Sequence, residues 1–262
     1  MPEAFCLNCN EILYSTQNFC ANCGQKSQTH RLTLHEIIHE AFHAITHADK
    51  GFLYLVKELT IKPGVVAKEY IEGKRKKYFN PFSFLVIVTG ILVLITSNFH
   101  IFGSSAQMPT VKTTDHSPMA VTKMGYIKRS AQFTNFVNNH SNVVLFISTP
   151  FLAFFLWLFY RQRKLLYAEH LTSMVFFNSF LMITTSIIFA PLIYFTRHQN
   201  MYGLWAFIMI SFHTLYVGFA YKQLLNLNGV GGFFKAFVIS ALASLCWVLF
   251  SGLIGTSYIF FG

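Results

Sequence analysis

Gly73-Lys74-Arg75-Lys76-Lys77-Tyr78-Phe79-Asn80-Pro81 leads into an apolar run that ends at Phe102 and contains no Asp, Glu, Lys or Arg. Four consecutive cations before an apolar run of this length are typical of the cytoplasmic border of a membrane-spanning helix. The residues before this border form a small polar region, whereas those after it are mostly apolar. The stretch therefore predicts a multi-pass membrane protein with a cytoplasmic N-terminal region.

The composition fits a membrane protein and argues against nucleic acid binding. The 262 residues are 53% hydrophobic and 11% charged, whereas ordinary soluble domains carry roughly 25% charged residues. The net charge is +10, but Lys26 is the only Lys or Arg within residues 1–30. One cation is too few for a nucleic acid footprint, so we expect no nucleic acid partner. We expect a lipid bilayer instead, whose anionic headgroups would contact Lys74, Arg75, Lys76 and Lys77.

The apolar half is most economically interpreted as five spans. They are predicted at residues 81–102, 143–160, 171–195, 203–221 and 236–261. The predicted fold class is an all-α polytopic membrane protein of the cytoplasmic (inner) membrane, with a polar external loop at residues 103–141. Basic residues at 161–164, 222 and 235 fall on the side of the four cations, which predicts a cytoplasmic N-terminus and an external C-terminus. The predicted domains are a ribbon at 1–30, linker helices at 31–80 and a transmembrane domain at 81–262.

Two Cys-x2-Cys units near the N-terminus have the spacing of a zinc ribbon. The four cysteines are Cys6, Cys9, Cys20 and Cys23. Four thiolates can close a tetrahedron around Zn²⁺, and a region this small needs metal to fold. Asn10 and Gly24 follow the second cysteine of each unit, and both residue types tolerate left-handed backbone. A disulfide pair is disfavoured because the predicted compartment is reducing. The zinc would be structural, since four cysteines leave no open coordination position. A minimal hairpin is expected between residues 12–14 and 17–19.

Histidines recur every four residues in the linker. Thr33 and Glu36 form a predicted capping box for a helix over residues 33–48, whose polar line contains His35, His39, His43 and His47. His39 and His43 are candidate metal or pH-sensing residues, whereas a packed or interfacial helix is the alternative. Further helices are predicted at 52–60 and 65–72, with a stop at Pro63-Gly64.

Few polar side chains fall in the predicted spans, and they are the remaining candidates for function. Glu169 and His170 open the third span, Asn178 lies two turns deeper, and His213 lies near the middle of the fourth. An ion-coupled pump is poorly supported, because such pathways need several acidic groups at depth. Asn178 and His213 are better interpreted as groups that hydrogen-bond between helices.

Several motifs of the chain resemble an uncharacterised bacterial family of zinc-ribbon integral membrane proteins, a domain-of-unknown-function family. The motifs are Phe19-Cys20-x2-Cys23-Gly24-Gln25, Asp49-Lys50-Gly51-Phe52, Lys62-Pro63-Gly64, the run from Glu69 to Pro81, and Glu169-His170. The match is specific over residues 1–100 and loose beyond them. The resemblance implies zinc and a cytoplasmic-membrane location, and it supplies no activity.

Three functions fit these observations. The first is a non-enzymatic platform that binds a protein partner at the cytoplasmic face through the ribbon and the linker. The second is a small-molecule or lipid transporter, or a subunit of one, which with five spans would need to form a homo-oligomer. The third is a membrane-interface enzyme that uses Glu169 and His170, although neighbours on a helix point about 100° apart.

Overall fold

The computed structural model describes residues 4–14, 16–29, 31–33, 51–99, 118–139, 141–196 and 201–261. Two short strands, β1 (Ala4–Phe5) and β2 (Ile12–Leu13), pair antiparallel near the N-terminus. The rest of these described residues are mostly helical, and their α-helices comprise two short ones followed by six longer ones. They are α1 (Phe52–Ile61), α2 (Pro63–Ile71), α3 (Pro81–Phe99), α4 (Pro118–Asn139), α5 (Ser141–Phe159), α6 (Tyr167–Thr196), α7 (Tyr202–Leu224) and α8 (Gly229–Phe261).

The ribbon pairs its strands differently from the sequence-based expectation. The hairpin predicted between residues 12–14 and 17–19 is absent from the described ribbon. Instead, Phe5 pairs with Ile12 across the first cysteine unit, and Phe19 forms a bridge with Lys26 across the second. The reason is local, since each Cys-x2-Cys unit itself reverses the chain and so places its own flanks side by side.

The short helices α1 and α2 belong to the helical core. Leu55, Leu59, Val66 and Ala67 are fully buried, and the two helices pack against α6 and α7. The predicted stop at Pro63 is also the first residue of α2. Proline is suited to this position because the N–H of the first helical residue has no hydrogen-bond partner within the helix. Their buried apolar side chains therefore serve tertiary packing.

Within the part of the chain that the structure describes, three helices are long and apolar enough to cross a membrane, namely α6, α7 and α8. The chain accordingly has the features of a membrane protein. Two further apolar stretches, Pro81–Ile95 and Phe146–Phe159, are shorter and coincide with the first two predicted spans. A π-helical turn at Thr185–Phe189 interrupts α6. These five apolar helices lie side by side, with α6 in contact with α3, α5 and α7, and α8 in contact with α5 and α7.

Two regions predicted as loops are partly helical. Residues 118–139 of the expected external loop form α4, which packs on the end of α8 through Tyr126 against Phe260. Its polar composition hides this contact from a hydropathy argument. The glycine-rich turn expected at residues 228–232 is shorter than predicted, because Asn226 and Gly229 take left-handed backbone and α8 begins at Gly229.

Candidate metal centre and its contacts with the helical bundle

The two cysteine units fold into matching turns. In the first, the Asn10 N–H donates to the Cys6 carbonyl at 2.9 Å, and in the second the Gly24 N–H donates to the Cys20 carbonyl at 2.9 Å. Asn10 and Gly24 have φ angles of 63° and 71°, so both are left-handed as predicted. In each turn the first cysteine also donates its N–H to a carbonyl five residues later. The sequence thus builds one turn twice and faces the copies toward each other.

The sulfur atoms of Cys6, Cys9, Cys20 and Cys23, the four-cysteine cluster, fit a tetrahedral metal ion. All four Sγ atoms lie within 4.8 Å of one another. Cys6 Sγ lies 3.6 Å from Cys23 Sγ, and Cys9 Sγ lies 3.6 Å from Cys20 Sγ. A Zn–S bond of about 2.3 Å separates the sulfurs of a tetrahedron by roughly 3.8 Å. All four thiols are free of disulfides, so the donor set suits a soft divalent cation.

Two thiols of the cluster have pKa values shifted in opposite directions, down for Cys23 and up for Cys9. For Cys23, burial raises the pKa, but hydrogen bonds from the Asn8 side chain and the Gln25 backbone lower it to about 6. For Cys9, a backbone hydrogen bond with Glu11 lowers the pKa, while burial and the neighbouring thiols raise it to about 12. Four thiolates this close therefore need a cation between them.

The ribbon is docked on the residues before α3. Gln25, which follows the second cysteine unit, is only 3% exposed, and its Oε1 accepts the Lys76 N–H at 3.0 Å. Gly73 has φ +106°, and a Cβ there would lie 2.9 Å from Leu7 Cδ1 and 2.9 Å from Thr29 Oγ1. A side chain at Gly73 would therefore strain the backbone and force the Leu7 and Thr29 side chains to move.

The segment after the ribbon reaches the start of α6. Arg31 Nε and Nη2 donate to the two carboxylate oxygens of Glu169 at 2.6 and 2.9 Å, and Nη2 also donates to the Lys164 carbonyl at 2.6 Å. The hydrogen bond with Glu169 raises the pKa of Arg31. Glu169 is 2% exposed and accepts the Leu166 N–H at 2.7 Å, so it caps α6 as well. Leu32, 1% exposed, anchors the same segment in the core.

His170 and Glu169 contact different partners. Its Nδ1 lies 3.0 Å from the Tyr221 hydroxyl on α7, while Glu169 faces Arg31. Tyr221 also stacks on Tyr160, with ring centroids 5.4 Å apart. Among the described residues, His170 Nε2 and the Tyr160 hydroxyl have no hydrogen-bond partner. Glu169 and His170 therefore do not form one paired acid–base site.

Asn178 and His213 meet inside the bundle. The Asn178 amide donates to Thr149 Oγ1 at 2.8 Å, and its Oδ1 lies 3.3 Å from His213 Nε2. The three residues lie on α5, α6 and α7, so this chain of contacts ties three helices together. That is the arrangement expected of hydrogen bonding between helices. The other histidine candidates, His39 and His43, lie outside the described residues, as do His35 and His47.

The four-cation stretch is only partly available to an outside anion. Glu69 lies 3.0 Å from Lys74 Nζ and 2.6 Å from Lys77 Nζ, and it accepts the Tyr78 hydroxyl at 2.5 Å. Burial raises the pKa of Glu69, but the hydrogen bonds from Lys77, Tyr78 and Lys74 lower it to about 2. The expected headgroup contact thus competes with an internal anion.

Sequence reasoning missed the residues that fasten the ribbon and α2 to the bundle. Gln25 lies within the motif of the second cysteine unit and Arg31 follows it closely, yet their partners Lys76 and Glu169 are 51 and 138 residues away. Gly64 likewise fastens α2 to α7, since its N–H donates to Gln223 Oε1 at 3.0 Å. A usable signal was Lys62-Pro63-Gly64, which combines a helix start with a residue that allows close backbone approach.

Together these features define a helical membrane protein with an N-terminal four-cysteine ribbon fixed to one end of the bundle. A family model described as a protein of unknown function (DUF3667) matches residues 49–93. The match covers α1, α2, the four cations and most of α3, and it agrees with the resemblance to an uncharacterised family. The ribbon and Glu169 lie outside the matched residues. No curated protein and no solved structure matches the chain.

Proposed function

We propose that the chain is a cytoplasmic-membrane protein whose zinc ribbon forms a docking platform for a protein partner. Zinc is supported by the sulfur geometry of the four-cysteine cluster. The cytoplasmic side is supported by the cations near the ribbon, and five spans are supported by the five apolar helices. The ribbon has a structural role, because four cysteines fill the coordination sphere.

The observation that carries the docking proposal is the apolar surface of the ribbon. Phe5, Tyr14 and Phe19 are 62%, 53% and 56% exposed. A small polar region has little reason to expose such side chains unless a partner covers them, because aromatic residues are enriched at the centres of protein interfaces. The ribbon also rests on the segment before α3 through Gln25 and Lys76, which supports a defined orientation of this surface. The partner is therefore expected to offer an apolar surface of its own.

The test compares ribbon variants of the full chain in nanodiscs. A photo-crosslinking residue at position 19 should identify a protein partner, which is then purified. Phe5→Ser with Phe19→Ser should weaken its binding at least tenfold, about the loss of one or two interface anchors. Glu11→Gln, at an exposed ribbon position, should bind as the wild type does. Unchanged affinity in the double serine variant, with zinc retained, would exclude this surface as the docking site.

A transporter is the second candidate, favoured by the polar contacts of Thr149, Asn178 and His213 within the bundle and by the π-helical turn of α6. Such turns often lie at functional sites. Against it, the Asn178 amide nitrogen and oxygen are both engaged by neighbouring side chains. Uptake into proteoliposomes that is lost in Asn178→Ala and kept in Cys246→Ser would support transport. Flux equal to that of protein-free vesicles would argue against it.

A further inference from the structure

Both cysteine units of the ribbon lie against the segment between α2 and α3. Leu7 lies within the first unit, and its Cδ1 would be 2.9 Å from a Cβ on Gly73, while Gln25 follows the second unit and accepts the Lys76 N–H. The Gln25 carbonyl also accepts the Cys20 N–H at 2.7 Å. The same residue therefore belongs to the metal-binding turn and to the docking contact. A change in the cysteine turns must disturb the surface that rests on the bundle.

Arg31 extends this connection to α6. It follows the ribbon closely in the chain, and its guanidinium holds both oxygens of the Glu169 carboxylate. Among the described ion pairs, Arg31 is the cation that neutralises Glu169. Glu169 is 2% exposed, and a buried carboxylate without a partner is strongly disfavoured. The observed conformation at the start of α6 therefore depends on the contact between Arg31 and Glu169.

We infer that metal binding by the four-cysteine cluster is coupled, through the contact between Arg31 and Glu169, to the order of the first turn of α6. The coupling rests on the zinc site proposed above. The ribbon has few buried apolar residues of its own, with Leu13 beside the cysteines in its core, so its fold depends on the metal. Loss of the metal releases Arg31, and the buried Glu169 carboxylate then loses its ion-pair partner. The protein thereby transmits the metal state of the ribbon into an apolar helix.

Amide hydrogen exchange in nanodiscs tests the coupling without an activity assay. The readout is exchange of the amides of Leu166–His170 in the zinc-loaded chain, in the chain after zinc chelation, and in Arg31→Ala loaded with zinc. Chelation and Arg31→Ala should each speed exchange about tenfold or more, because both remove the cation from Glu169. Arg31→Ala should retain its zinc. Arg31→Lys should show a smaller effect, because lysine keeps the charge and loses the two-pronged geometry.

Arg161→Ala is the matched control, since Arg161 is exposed near the same helix start and has no ion pair among the described residues. Exchange at the packed contact between Gly218 and Phe237 reports global unfolding and should stay constant. Unchanged exchange at Leu166–His170 after chelation overturns the coupling, as does a chelation effect that Arg31→Ala fails to reproduce. A chain that binds no zinc refutes the zinc site and the coupling together, whereas zinc binding without an exchange change refutes only the coupling.

Discussion

At the residue scale, the Glu69 carboxylate holds together the segment that precedes α3. It accepts hydrogen bonds from Lys74, Lys77 and Tyr78, and these bonds lower its pKa from 4.5 to about 2. A lowered carboxylate pKa stabilises the fold above pH 4.5, and this contribution is lost as the pH falls toward 2. Glu69→Gln should therefore lower the free energy of unfolding by about 1 to 2 kcal/mol at pH 7, allowing for solvent screening of the lysines.

Thermal unfolding in detergent, followed by tryptophan fluorescence at pH 7 and pH 3, measures this effect. The difference between wild type and Glu69→Gln should shrink at pH 3. Glu72→Gln is the control, because Glu72 is 55% exposed and lies 3.9 Å from Lys68. A destabilisation by Glu72→Gln as large as that by Glu69→Gln would assign the effect to net charge.

The cysteines give the second prediction at this scale. The purified chain should contain one zinc ion per molecule, because four sulfurs fill one tetrahedral site. Cys20→Ser should lose most of it, since removal of one thiolate opens the shell, whereas Cys246→Ser should keep it because Cys246 lies in α8 outside the cluster. Elemental analysis with a thiol titration checks this. Full zinc content in Cys20→Ser would contradict the four-cysteine site.

At the element scale, the close approach of α2 to α7 depends on Gly64. A Cβ at this position would lie 2.0 Å from the Ala220 carbonyl oxygen and 2.5 Å from the Leu224 nitrogen, both backbone atoms. Gly64→Ala should therefore cost about 3 kcal/mol or more, since the helices must separate to admit a methyl group. Fluorescence-detected size exclusion after heating measures the loss. Gly90→Ala on α3 meets nothing within 4 Å and should be neutral or stabilising, so equal losses in both variants would contradict the packing.

Local sequence signals predicted some elements well and their contacts poorly. The cysteine turns were predictable because spacing and left-handed residues act within a few positions, and α1 and α2 were predictable from the break at Pro63-Gly64. Arg31 and Glu169 are 138 residues apart in the chain, so no local sequence signal near either residue predicts their contact. The helix α4 was missed for the same reason, since its partner is the distant end of α8.

At the scale of the whole molecule, one end of the bundle collects the ribbon and several basic residues. Arg31 binds the Lys164 carbonyl there, Gly64 binds Gln223 at the end of α7, and Lys222 lies 5.9 Å over the Phe233 ring of α8. At the opposite end, Arg129 of α4 donates to the Ile259 carbonyl near the end of α8. These contacts place the start of α6, the end of α7 and the start of α8 at one end of the bundle, and the end of α8 at the other.

This arrangement makes the topology testable. Because basic residues favour the cytoplasmic side, the ribbon end should face the cytoplasm and the C-terminus should lie outside. Green fluorescent protein should fluoresce when fused after residue 164 or 226, whereas alkaline phosphatase should be active when fused after residue 140, 198 or 262. Each junction carries both reporters, so that every dark or inactive fusion has an expressed counterpart. A fluorescent C-terminal fusion would mean an even number of crossings, and one of the two shorter apolar helices, α3 or α5, would then lie along the membrane without crossing it.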